Sequence, residues 1–238
     1  MDPAQAREQE KTRLTKRAVV DRALALGDAE GLEALTIRRI ATELGVTPMA
    51  LYWHFRNKEE LLAGLGDRIW SELDTDVDES APWDSQLRGL LESLLHVLRS
   101  HPCASQLILE GEKQSDAALV ASETALAVLQ RGGFDPEHAV EITRSALFTA
   151  LTLVMSDPGS EPAKNAAEKT EDQRKQHVRL ALLPPDRYPC LVEAALPMST
   201  FDPELHYSFG VDLFVAGVKA LAPSADPART AGQNRPDR

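Results

Sequence analysis

Apolar residues recur every three or four positions along almost the whole chain and nowhere alternate as a strand requires, so the pattern predicts an all-α protein. The first stripe, Val19, Val20, Ala23, Leu24 and Leu26, predicts a helix over 13–27 closed by Gly27, with a turn over 28–31. Thr36 follows as an N-cap, with Ile37, Ile40, Ala41 and Leu44 on one helical face and Gly45 as the left-handed residue that stops it. Thr47 caps the next helix, and Pro48 stands at its first position, where a missing N–H costs nothing. Leu51 and Phe55 point inward there, and Trp53 is assigned to the core with Phe55. Asn57, with Glu60 three residues on, forms a capping box that opens a fourth helix. Its stripe of Leu61, Leu62, Leu65, Ile69, Trp70 and Leu73 runs to about residue 73. Two short helices joined by a tight turn, the second small enough for a DNA major groove, make a helix-turn-helix. The fourth helix leads out of this head as a lever.

Past an acidic linker (Glu72, Asp74, Asp76, Asp78, Glu79, then Pro82) the period stays helical. Helices are expected over 83–100, 103–110, 115–131, 136–156, 168–182, 188–196 and 203–221, with a loop over 157–172. Asp135-Pro136-Glu137 and Asp202-Pro203-Glu204 are matching helix starts, each an Asp cap, a first-position Pro and an acid suited to the helix dipole. The two helices they launch are apolar nearly all round, which requires burial on more than one side. One side meets the body; a second copy of the chain is the simplest cover for the other, with Gly210 and Gly217 allowing close approach.

Charge sharpens this division. The net charge of −11 looks wrong for a DNA binder until it is partitioned. Residues 1–58 carry ten Lys/Arg against eight Asp/Glu, and residues 59–238 carry sixteen against twenty-nine. Phosphates repel the body but not the head, so the asymmetry orients the approach to DNA. The small surplus on the head implies that two copies act together. The 12 residues at the N-terminus read either as a disordered tail or as an arm that lays Arg7 or Lys11 on DNA. Domains are therefore expected as an arm (1–12), a DNA-binding head (13–58), a helical body (59–222) and a disordered tail (223–238). No apolar run approaches the roughly 20 residues of a membrane span, and the polar start is no signal peptide. Cys103 and Cys190 form no metal-type pair and read as reduced, buried thiols of a cytoplasmic protein.

The run Leu51-Tyr52-Trp53-His54-Phe55-Arg56-Asn57-Lys58-Glu59-Glu60-Leu61-Leu62, with Gly31-Leu32-Glu33-Ala34-Leu35-Thr36 upstream, closely resembles the signature of tetracycline-repressor (TetR) family regulators over about residues 13 to 65. Tyr188-Pro189 and Phe209-Gly210-Val211-Asp212-Leu213 resemble, more weakly, the C-terminal domain of the tetracycline-repressor subtype. The resemblance implies a homodimeric repressor on a palindromic DNA operator, closed by a four-helix bundle of the two long helices from each subunit. It also implies a small-molecule effector inside the C-terminal helices. A same-family activator, or a regulator without a small ligand, stays open.

The DNA contacts implied are Thr36, Arg38, Thr47, Pro48, Met49, Ala50, Tyr52, His54 and Lys58. Residues 47–50 are short or apolar, so thymine methyls and shape should count for more than bidentate hydrogen bonds there. Arg38 reads as a guanine contact or as a phosphate clamp; Thr36, Tyr52, His54 and Lys58 match phosphate positions. For the ligand, the polar set is His96, Arg99, His101, Gln106, Glu110, Arg144, Thr149 and Thr152, with Trp70, Phe148, Leu151 and Met155 as apolar walls. Each of these alone also reads as plain core or helix surface. Counting back from Phe134, the segment that supplies a metal-binding His in the tetracycline repressor falls on Ile108 or Leu109, and His96 and His101 share no helix face. No metal or cofactor is therefore expected, and an organic ligand such as an antibiotic or polyketide is favoured over magnesium–tetracycline. No nucleophile triad, phosphate-binding glycine loop or cofactor fingerprint supports an enzyme; a helical scaffold that merely keeps the head is the other rival.

Overall fold

In the computed structural model the described residues are 14–109, 115–158 and 166–223. The arm over 1–12, Glu110 and residues 224–238 of the expected tail lie outside them.

Helix α1 (Lys16–Glu30) begins where the Thr15 hydroxyl accepts the Ala18 N–H at 3.1 Å. It runs past Gly27 and stops at Gly31, whose φ of 84° only glycine adopts without strain. Gly27 is thus no stop signal. It is buried, and a Cβ there would stand 3.2 Å from Cys103 Sγ, so its missing side chain admits the body against the head. A short 3₁₀ turn (Leu32–Ala34) leads to α2 (Ile37–Leu44), capped by Thr36 through the Arg39 N–H at 3.1 Å. Gly45, at φ 66° and ψ 29°, ends α2 in the left-handed conformation. Helix α3 (Pro48–Tyr52) carries the expected Thr47 cap and first-position proline.

Helix α4 (Lys58–Trp70) opens on Asn57, whose Oδ1 accepts the Glu60 N–H at 2.9 Å. The returning bond reaches one residue further than a capping box does: Glu60 Oε2 accepts the Arg56 N–H at 2.8 Å. The helix ends at Trp70, short of residue 73, because Glu72 and Leu73 donate i→i−3 to Ile69 and Trp70 and tighten the last turn.

The body is built on α5 (Trp83–Ser100), which packs against α7 (Asp116–Arg131), α8 (Pro136–Met155) and α12 (Pro203–Leu221). Ser115, Asp135 and Asp202 cap the last three as their side-chain chemistry predicts. Helix α6 (Ala104–Leu109) lies between α4 and α8. Helix α9 (Ala166–Ala181) starts within the stretch expected as a loop, and the single helix expected over 188–196 is two, α10 (Pro189–Glu193) and α11 (Ala195–Ser199). These three pack on one another. Arg88–Asp212 at 2.5 Å and Lys219–Asp84 at 2.6 Å join α5 to α12.

One buried cluster runs without a break from Val19, Leu51, Phe55, Leu65 and Ile69 into Leu91, Leu98, Cys103, Leu107 and Val211. Each such side chain stabilises the fold by about 1.5–3 kcal/mol relative to exposure. A second cluster around Leu87, Val128, Leu129, Ile142 and Val218 is closed by Trp83 packed edge-on to Phe134, ring centroids 5.6 Å apart.

A stripe of Leu205, Phe209 and Leu213 on α12, with Phe148 and Met155 on α8, is left exposed in the single chain. Gly217 on α12 opens into free space. Gly210 does not serve an outward approach: its notch takes Leu153 of the same chain, whose Cδ atoms would lie 2.7 Å from a Cβ there. Of the two thiols only Cys103 is buried; Cys190 is exposed, contrary to expectation. Among the described residues no helix is long and apolar enough to cross a membrane.

Candidate DNA-binding face and ligand cavity

The head turns an uncovered surface outward. Thr36, Arg38, Thr47, Pro48, Met49, Tyr52 and Lys58 are exposed, and Ala50 and His54 half-buried, on α2, α3 and the start of α4. Met49 is 68% exposed. Trp53 corrects the sequence reading: it is 85% exposed, not core. Leu51 and Phe55 are four apart and share the inward side, so the residue midway between them faces out.

Among the described residues of the head, charge pairing takes up Arg17, Arg22 and Arg39 but not Arg38. Arg39 is held by Glu30 at 2.8 Å and Glu43 at 3.2 Å, and Arg22 also pairs with Glu43. Bonded first to Arg22, and with Arg39 beside it, the Glu43 carboxyl is held below its usual range despite some desolvation. Lys16 reaches Glu60 at 3.4 Å and lies over the Phe55 ring. Arg38 has no ion pair among the described residues, so its guanidinium is available to a base edge or a phosphate.

Inside the body, α4 to α8 enclose a cavity of about 490 Å³, within the range of drug-sized ligand sites. It exists because two helices facing each other differ in bulk. Helix α5 presents Leu87, Leu90, Leu91 and Leu94, while α7 presents Ala118, Ala121, Ser122 and Ala125. Trp70 and Ile69 of α4 and Leu107 and Ile108 of α6 close one side. Polar groups are few. The Ser122 hydroxyl donates to the Ala118 carbonyl at 2.8 Å and Thr143 to the Ala139 carbonyl at 2.9 Å, so both oxygens keep lone pairs for a ligand donor. Arg144, whose Nη1 also donates to Glu141 at 2.9 Å, is the one charged group among the described lining residues.

Of the residues expected at a ligand, Trp70 and Arg144 line this cavity. His96 and Arg99 do not: the cavity side of α5 ends at Leu94, and both are exposed, with Arg99 stacked over the Tyr207 ring at 4.3 Å. Gln106 is exposed on α6. Phe148, Thr152 and Met155 form an outward stripe on α8, Thr149 lies between that stripe and the core, and Leu151 is core. Sequence reasoning missed the small residues of α7, although Ala118, Ala121, Ser122 and Ala125 recur at helical spacing and could have marked the cavity. Among the described residues no three His, Cys, Asp or Glu are grouped to hold a metal.

His101 lies elsewhere, on the seam between head and body. Its Nδ1–H donates to Asp28 Oδ2 at 2.8 Å and its Nε2–H to Glu72 Oε2 at 2.9 Å. The Asp28 bond, helped by Glu72 and outweighing burial, raises the imidazole above its ordinary range. Burial of Glu72 acts upward, but His101 and Arg68 together hold its carboxyl low.

Comparison with known sequences and structures agrees with this layout. Residues 19–65 match the family model described as bacterial regulatory proteins, tetR family, and residues 77–222 match the tetracyclin repressor-like C-terminal domain. The chain is 32% identical over 222 residues to the HTH-type transcriptional repressor DrrR1 of Streptomyces coeruleorubidus, covering 89% of this chain and 79% of that one. It is 31% identical over 166 residues to the tetracycline repressor protein class C of Escherichia coli, covering 68% and 73%. The Streptomyces coelicolor protein ActR, in its crystal structure with actinorhodin, superposes with a TM-score of 0.77 at 26% identity, over 90% of this chain and 100% of ActR.

Proposed function

This chain belongs to the TetR family of bacterial regulatory proteins, and we propose that it works as a homodimeric repressor released from a palindromic operator by a small organic ligand. The observation that carries the reading is the course of α4. It begins six residues after the end of α3, and its far end, at Ile69 and Trp70, forms a wall of the cavity. A ligand in that cavity touches the same rigid element that positions the DNA-reading helix.

Two copies are joined through the apolar stripe of α8 and α12, where Phe148, Phe209 and Leu213 would otherwise stay in water. Such a dimer sets its two α3 helices about one DNA turn apart, roughly 34–36 Å. The ligand acts only through its differential affinity for the forms with and without that spacing, and a hundredfold release takes about 2.7 kcal/mol. The cavity supports an apolar, ring-containing molecule that donates hydrogen bonds to Ser122 and Thr143 and turns an acidic or carbonyl oxygen to Arg144. The crystal structure of ActR with actinorhodin makes actinorhodin the first compound to try. The test is a mobility shift with a duplex selected by the protein from a random pool, titrated with actinorhodin. A palindromic duplex bound by dimer and released by ligand is the expected result; a selected duplex without dyad symmetry, bound by a monomer, rules the reading out.

A further inference from the structure

Building on the reading of the chain as a DNA-binding regulator, we propose that His101 is the positioning residue that couples the cavity wall to the DNA-reading head. Three elements meet on its ring. His101 follows the last turn of α5 and stands three residues before α6, whose Leu107 and Ile108 line the cavity. Asp28 belongs to α1 of the head, and Glu72 lies just beyond the end of α4. The side chain is only 14% exposed.

The bonding pattern fixes the charge state. Ionised carboxylates only accept, and a neutral imidazole has a single N–H, so bonds from both ring nitrogens to two carboxylates need the imidazolium. Neighbouring groups close the cluster. Asp28 accepts the Cys103 N–H at 3.3 Å through its other oxygen. Arg68 of α4 pairs with Glu72 at 2.5 Å and with Asp21 of α1 at 3.1 Å. The Cys103 thiol beside Asp28 is pushed up, first by burial and then by that carboxylate, and stays uncharged. The charged groups facing the ring are thus Asp28 from α1 and Glu72 with Arg68 from the end of α4, with Asp21 reached through Arg68. When the ring loses its proton, Asp28 and Glu72 lose the cation between them and Arg68 alone offsets them.

An occupant that displaces α6 pulls the same ring from its two carboxylates. Deprotonation does this without a ligand, and the raised value gives the sign. The clamp is complete below the ordinary histidine value of about 6.5 and is lost as pH rises through the folded-state value above it.

The experiment measures the affinity of full-length protein for a duplex it has selected from a random pool, from about pH 6 to 9. Wild type, His101→Gln and the double variant Asp28→Asn/Glu72→Gln are compared, with His54 of the DNA face intact in all three. Wild-type affinity is expected to fall by about tenfold as pH rises. Both variants should show a shallower slope than wild type, His101→Gln being weaker than wild type at pH 6. A His101→Gln protein with wild-type affinity and slope overturns the proposal. Nuclear magnetic resonance of the wild type removes any dependence on the variants folding. Linkage requires the His101 titration midpoint to be higher in the duplex complex than in free protein, and equal midpoints overturn the proposal. If no duplex is enriched, the DNA-binding reading itself fails and the coupling falls with it, an outcome distinct from binding without a His101 slope.

Discussion

Trp53 and Phe55 stand two residues apart and on opposite sides of the head, one ring 85% exposed and the other 1%. The other tryptophans, Trp70 and Trp83, are half-buried, so Trp53 is expected to supply the red part of the emission. Duplex binding is expected to quench this component and shift it to shorter wavelength. Trp53→Phe should remove the response and keep the fold, whereas Phe55→Ala should cost about 3–5 kcal/mol in denaturant unfolding.

Arg38 and Lys58 should separate by kind of loss. Arg38→Ala is expected to cost about 1–3 kcal/mol on the selected duplex and to relax preference at one base pair. Lys58→Ala should weaken selected and random DNA alike and lower the salt slope by about 1. Equal loss on both duplexes for Arg38→Ala would make it a phosphate clamp.

Two glycines should respond to alanine with opposite signs. Gly45 has φ 66°, so Gly45→Ala is expected to destabilise by about 1–2 kcal/mol. Gly89 lies mid-helix in α5 with nothing within 4 Å of an added Cβ, and Gly89→Ala should stabilise by about 0.5–1 kcal/mol. Calorimetric melting of the two variants checks both.

Filling the cavity should uncouple sensing from DNA binding. Ala121→Leu places a branched side chain in the space between α7 and α5. Duplex affinity should stay within about twofold of wild type, while actinorhodin, if it releases the wild type, should need at least about tenfold more to release the variant. Unchanged release would move the ligand out of this cavity.

The apolar stripe is open to a charge test. Phe209→Arg and Leu213→Glu should leave the helical circular dichroism intact and convert a dimer into chains of 26.1 kDa in sedimentation. A dimer that survives both changes uses another face.

Local chemistry is what the sequence made legible. Thr36, Gly45, Thr47, Pro48, Asn57, Asp135 and Asp202 act on backbone groups within a few residues, and their roles in the structure match their side-chain chemistry. Gly27 was misread because its reason is Cys103, far along the chain, and nothing local separates a glycine that stops a helix from one that admits a neighbour. His101 looked like a ligand group for a similar reason, since its partners Asp28 and Glu72 lie 73 and 29 residues away. The expected ligand residues Phe148, Thr152 and Met155 lie beyond the cavity lining on α8, because the cavity's position depends on which helix faces Ala118 and Ala121. Periodicity fixes a face but not its neighbour.

The unbroken buried cluster from Val19 to Val211 has a consequence for how such regulators diversify. A reading module that keeps no interior to itself cannot be transplanted alone. A chimera taking its first four helices from a relative must also inherit side chains that fit Cys103 and Leu107, including a residue as small as Gly27 against Cys103, or it will melt at the graft. New operators are then reached more readily by exchanging outward residues of α3 than by trading whole modules.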